Sequence, residues 1–142
     1  MKRLFLLSIS LFAISCTSPP TSQEVIEYDY CDVDKHIEWP DIFDQPESTY
    51  HVYFYSLTCG HCKEIKQEIL SYYFSSFVTM YFVDVTNKES IFSKPYDVIG
   101  VNSIDSFYIF GTPFLIKIEN SAVIECYAGV NQILNFINFN GG

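Results

Sequence analysis

The sequence predicts one α/β domain built on a mixed central sheet flanked by helices. Three observations carry this expectation: an apolar run of strand length followed at once by a helical pattern, a second strand behind that helix, and two closing strands around a short turn.

Each element has its own signal. Residues 50–57 form a β-branched and aromatic run, apolar enough for burial on both faces, and read as a central strand. Residues 63–76 place Ile65, Ile69, Leu70 and Tyr73 at helical spacing, with Lys63, Glu64, Lys66 and Glu68 between them. Residues 77–85 read as a second strand, and residues 86–105 as a mixed polar stretch holding a helix and a loop. Residues 114–118 and 122–127 flank Glu119, Asn120 and Ser121, the pattern of a hairpin, and residues 130–139 close the chain as an amphipathic helix. Strand, helix, strand calls for a parallel pair with a right-handed crossover, and the hairpin adds an antiparallel pair.

Composition limits the function classes. Hydrophobic residues make up 49% of the 142 residues and charged residues 18%, the balance of a folded domain with a real core. The formal charge of −9 argues against nucleic acid or an anionic membrane surface as a partner.

The N-terminus reads as an address. Met1, Lys2 and Arg3 precede an apolar stretch at 4–14, as long as the hydrophobic part of an export signal and too short to span a bilayer. Ala13-Ile14-Ser15-Cys16 resembles the lipobox of bacterial lipoproteins, in which the cysteine is lipidated and becomes the first mature residue. Ordinary cleavage near Ser15, giving a secreted or periplasmic soluble protein, is the alternative. The expected organisation is a signal peptide at 1–15, a lipid-anchored tether and acidic leader at 16–38, and the folded domain at 39–142. Nine of the seventeen acidic residues fall within 24–47, read as a solvated face or linker, and Trp39 to Asp44 begins a short helix with Pro40 in its first turn.

The chemistry-bearing motif is Cys59-Gly60-His61-Cys62. A disulfide-exchange catalyst needs two thiols close enough to bridge, one exposed and held as thiolate. The start of a helix favours a thiolate at Cys59 through its free N–H groups and dipole, with Cys62 one turn inside as the resolving thiol. Gly60 is expected to let the turn close, and His61 to set a positive charge or an N–H donor beside the thiolate.

The segment from Tyr55 to Lys63 resembles the strand-to-helix active site of the thioredoxin superfamily, and its Gly-His pair is the one found in protein disulfide isomerases. Gly111-Thr112-Pro113, just before a strand, is similar to the family's cis-proline loop. The resemblance spans residues 39–142 and implies a thioredoxin-like fold, with Pro113 facing the cysteines and the Thr112 backbone holding an extended substrate. It implies a thiol:disulfide oxidoreductase needing no cofactor and no metal. Its partners would be exported cysteine-containing proteins and a membrane or extracytoplasmic redox partner, with the chain a lipid-anchored monomer. Two positions depart from the family: Tyr53 stands where a buried carboxylate is usual, and Phe82 where a basic residue is frequent. The Gly-His pair points towards oxidation or isomerisation, whereas single-domain lipid-anchored relatives often reduce.

Other readings stand beside this one. Cys59 and Cys62 could be half of a zinc site completed from Cys31, His51, His61 or Cys126, although no second such pair occurs. Cys31 and Cys126 could bridge leader and last strand, or remain unpaired. His36 and His51 read as bland, Tyr108 and Phe110 as possible groove lining, and Phe114 first as core. A non-catalytic adaptor binding an exported partner through the Pro113 groove is the alternative function, and thiol peroxidase or metal-chaperone chemistry a third.

Overall fold

The computed structural model describes residues 26–88, 91–92 and 97–141. The export and lipidation expectations for residues 1–25, Cys16 included, lie outside the described residues.

Four strands and two α-helices form the body: β1 (Thr49–Tyr55), α1 (Gly60–Ser75), β2 (Met80–Asp84), β3 (Phe114–Glu119), β4 (Ala122–Ala128) and α2 (Gly129–Asn140). Short 3-10 turns occupy Tyr30–Asp32, Trp39–Asp41 and Ile104–Ser106. The sheet order is β2-β1-β3-β4, with β1 and β2 parallel and the other pairs antiparallel. This is the predicted mixed sheet.

β1 is buried along six of its seven positions because it packs on both sides. Tyr50, Val52 and Phe54 enter one core with Phe107, Ile109, Phe114 and Ile116. Tyr53 and Tyr55 enter the other, with Cys62, Ile65, Ile69 and Leu70 of α1 and Ile133 and Phe136 of α2. Alternation along a strand sends successive side chains to opposite faces, so an uninterrupted apolar run is what two covered faces require.

The two α-helices share the second face. The first face is covered by residues around Trp39 and by Val98, Phe107 and Ile109, in segments that are irregular apart from the 3-10 turns. The α-helix expected within 86–105 is not found among the described residues of that stretch, which hold a 3-10 turn beginning at Ile104 and a bridge from Phe92 to Ile109. The hairpin is present: Asn120 and Ser121 both have positive φ, 48° and 64°, the two-residue turn whose twist matches paired strands.

The folded body begins earlier than residue 39. Tyr30 and Val33 are buried in the helix-side core. The Phe82 N–H donates to the Lys35 carbonyl at 2.9 Å and the Ile37 N–H to the Phe82 carbonyl at 3.0 Å, so the leader covers the outer edge of β2. An edge strand left bare would present unpaired backbone groups, and these two bonds remove that liability. Asp29, Asp32, Asp34 and Glu38 face outward, while Tyr30 and Val33 between them pack inward.

Candidate redox site

α1 starts three residues before the expected position, and its start builds the site. Cys59 is the N-cap, in extended conformation (φ −80°, ψ 122°), and its Sγ accepts from the Cys62 backbone N–H at 3.2 Å. A sulfur thus takes the role usually filled by a Ser, Thr or Asp oxygen. The approach is fixed by Ser56, whose carbonyl accepts from the Cys59 N–H at 3.2 Å, and by Thr86, whose Oγ1 accepts from the Leu57 N–H at 2.9 Å.

The second wall comes from the loop before β3. The Thr112–Pro113 peptide is cis, and the Cys59 Sγ–H donates to the Thr112 carbonyl at 3.2 Å. The Gly129 N–H in turn donates to the Pro113 carbonyl at 2.9 Å, which pins the loop to the start of α2; Gly129 sits at φ +74°, where a side chain would be strained. Residues 53 positions apart therefore meet at one sulfur.

The two thiols are electrostatically unequal. Partial burial resists ionisation of Cys59, but hydrogen bonds from the Cys62 and Thr112 side chains and from the Cys62 and His61 backbone outweigh it, and the thiol lies below its ordinary range. Cys62 is buried, and desolvation, together with its bond to Cys59, pushes it up to about 11. A nucleophile at the surface and a protonated partner beneath it result.

Two expected contributions differ in mechanism. Gly60 is the first helical residue without a left-handed φ, and a Cβ there would meet nothing within 4 Å, so closing the turn does not require glycine. The His61 imidazole is exposed and its Nδ1 lies 3.3 Å from Glu64 Oε2; its backbone N–H, not its ring, serves Cys59.

Tyr53 is fully buried and its hydroxyl makes no well-aligned hydrogen bond; burial, then the neighbouring Tyr30 hydroxyl and the two thiols, raise its pKa. Tyr30, in the acidic leader, donates its hydroxyl to the Cys62 carbonyl at 3.4 Å and stacks on Tyr55 at 3.8 Å between centroids. His36 is also structural: a carbonyl only accepts, so Nδ1, 3.1 Å from the Val33 carbonyl, carries the proton, and Nε2 accepts from the Tyr55 hydroxyl at 3.1 Å. Leu57, 54% exposed, and Phe110 leave apolar surface on the segments that meet at Cys59, whereas Phe114 is core.

Cys31 and Cys126 are both free. Cys126 packs against the core on one face of the sheet, while Cys31 follows Tyr30 on the other, so the fold holds them apart. Among the described residues no three His, Cys, Asp or Glu side chains converge as metal ligands.

No family model matches the sequence, and no curated protein is detectably similar to it. Solved structures do match the fold. A mutant thioredoxin from Halobacterium salinarum aligns with a TM-score of 0.51 at 12% identity, over 75% of this chain and 88% of its own. Thioredoxin f2 of Chlamydomonas reinhardtii aligns at 0.50 and 18%, over 74% and 94%, and mitochondrial thioredoxin 3 of Saccharomyces cerevisiae, in oxidised form, at 0.50 and 13%, over 76% and 94%. The chain has a thioredoxin-like fold. Within that thioredoxin-like frame, Cys59 and Cys62 stand at the first turn of the helix that follows the central strand, and the cis-proline loop stands opposite.

Proposed function

We propose that the protein is a thiol:disulfide oxidoreductase acting outside a bacterial cytoplasmic membrane, held there by lipid on Cys16, on cysteines of exported proteins. The observation that supports it best is Cys59 Sγ at the cap of α1, 3.2 Å from both the Cys62 N–H donor and the Thr112 carbonyl.

In the reducing direction the Cys59 thiolate attacks one sulfur of a substrate disulfide. A mixed disulfide forms and the other substrate sulfur leaves as thiolate. Cys62 loses its proton and attacks the Cys59 sulfur, closing the Cys59–Cys62 disulfide and releasing the second substrate thiolate. Two electrons pass to the substrate, and the Cys62 proton and one from solvent end on its thiols. The reverse sequence oxidises a substrate dithiol. The Thr112 backbone is placed to hold an extended substrate strand beside Cys59.

Turnover of a disulfide-bonded model substrate, with glutathione as recycling couple, tests the proposal. The native chain should exchange, Cys59→Ser should not, and Cys62→Ser should accumulate the mixed disulfide. Undiminished exchange by Cys59→Ser would remove the catalytic assignment and leave the adaptor reading. Metabolic labelling with a fatty acid, lost in Cys16→Ser, tests the anchor.

A further inference from the structure

The leader does not wander over the surface; it runs antiparallel to α1. Tyr30 contacts Cys62 near the start of the helix, Asp29 pairs with Lys66, and Tyr28 bonds Gln67 and stacks on Phe74 at 4.5 Å. Followed backwards, the polypeptide travels from the dithiol end of α1 towards its other end. α1 has 16 residues, which makes it about 24 Å long.

At that far end three aromatic side chains reach the surface. Phe77, just beyond α1, is fully exposed, and Phe139, in the last turn of α2, is 92% exposed; Phe74 is 41% exposed. Ser75, Ser76, Phe77 and Val78 line one shallow cleft with Asn140 and Gly141, which sets the ends of the two helices side by side. Phe74 is half covered by Tyr28 and Tyr73, whereas Phe77 and Phe139 stand open, and exposed aromatics gathered at one end mark an interaction surface more often than isolated ones do.

We infer that this pole, carrying Phe74, Phe77 and Phe139, rests on the lipid surface to which the chain is tethered, so that the dithiol points away from the bilayer towards soluble exported polypeptides. The inference rests on the lipid anchor of the proposed function. Residues 17–26 reach at most about 36 Å when extended, short enough to keep the pole where the chain leaves the body near the membrane. The chain carries −9, and Asp32 and Asp34 stand with Lys35 beside the same pole, so the contact is with uncharged headgroups and acyl boundary rather than anionic lipid.

The test anchors the chain on phosphatidylcholine vesicles with brominated acyl chains, through a hexahistidine tag replacing residues 1–16 and held by nickel-chelating lipid. This fixes the attachment point whether or not Cys16 is naturally lipidated. Tryptophan is introduced as Phe77→Trp or Phe139→Trp at one pole and as Leu57→Trp at the other, with the parent chain correcting for Trp39. Brominated lipid should quench the first two and spare the third, at low and high salt alike. Equal quenching at both poles, quenching of Leu57→Trp alone, or a dimer abolished by Phe77→Ser with Phe139→Ser would overturn the inference. Failure of fatty-acid labelling of the full chain would refute the anchor separately.

Discussion

The Tyr30 hydroxyl donates to the backbone carbonyl of Cys62 across 3.4 Å, so a residue of the acidic leader touches the turn that carries the buried thiol. Tyr30 is 6% exposed and stacked on Tyr55. Tyr30→Ala should lower stability by about 3–5 kcal/mol, the range for emptying a large aromatic site, read from urea midpoints. A chain beginning at Trp39 should be less stable still and prone to aggregate, because it also bares the edge of β2.

Tyr53 makes the opposite prediction. Its buried hydroxyl makes no well-aligned hydrogen bond, Tyr30 being the one hydroxyl that acts on it, and a buried polar group left unsatisfied costs about 1–3 kcal/mol. Tyr53→Phe removes the hydroxyl and keeps the ring, so denaturant unfolding should show a gain of about 1 kcal/mol. A loss of similar size would mean that the hydroxyl is bonded in solution.

The thiols should titrate apart. Rates of iodoacetamide alkylation, followed by peptide mass, should give Cys59 a midpoint below the free-cysteine value of about 8.5 and Cys62 one near 11. Replacing His61 with Gln should move the Cys59 midpoint little, since the ring faces Glu64.

His51 gives the fold an acid-sensitive point. It is 7% exposed, its Nδ1 is unpartnered, and burial, with Lys117 adding to it and Glu125 opposing, brings its pKa to about 4. In the unfolded chain the imidazole titrates near 6.5. The unfolded state therefore binds the proton first, and the stability due to neutral His51 is complete above pH 6.5 and lost as the pH falls towards 4. The loss is on the order of 3 kcal/mol. His51→Phe should flatten the stability profile between those values in pH-dependent thermal unfolding.

Much of the architecture was legible because two-sided burial leaves a strong trace. β1, α1 and the hairpin each show the period that their packing demands. The first face of the sheet was not legible, since Val98, Phe107 and Ile109 fill it from irregular chain with no period to read. The leader hid for a related reason: Tyr30 and Val33 are two apolar contacts within an acidic run, and charge dominates a composition window. In the site, the meeting of Cys59, Cys62 and Pro113 was what the resemblance of their two segments to the thioredoxin superfamily implied. Cys59 at the helix start was legible from the break between strand and helix patterns, whereas the His61 ring turns to Glu64, three residues on, and only its backbone N–H serves the sulfur. The local signal that could have marked Tyr30 is an aromatic set among acidic residues.

The most direct measurement is the redox equilibrium of the full chain in detergent, poised in glutathione buffers, with free thiols trapped and mapped to each cysteine. The account predicts one reversible two-electron couple confined to Cys59 and Cys62, with Cys31 and Cys126 outside it. A potential near or above roughly −200 mV would assign oxidation or isomerisation, and one well below it reduction. No reversible couple, or one that pairs Cys59 with a cysteine other than Cys62, would contradict the central claim.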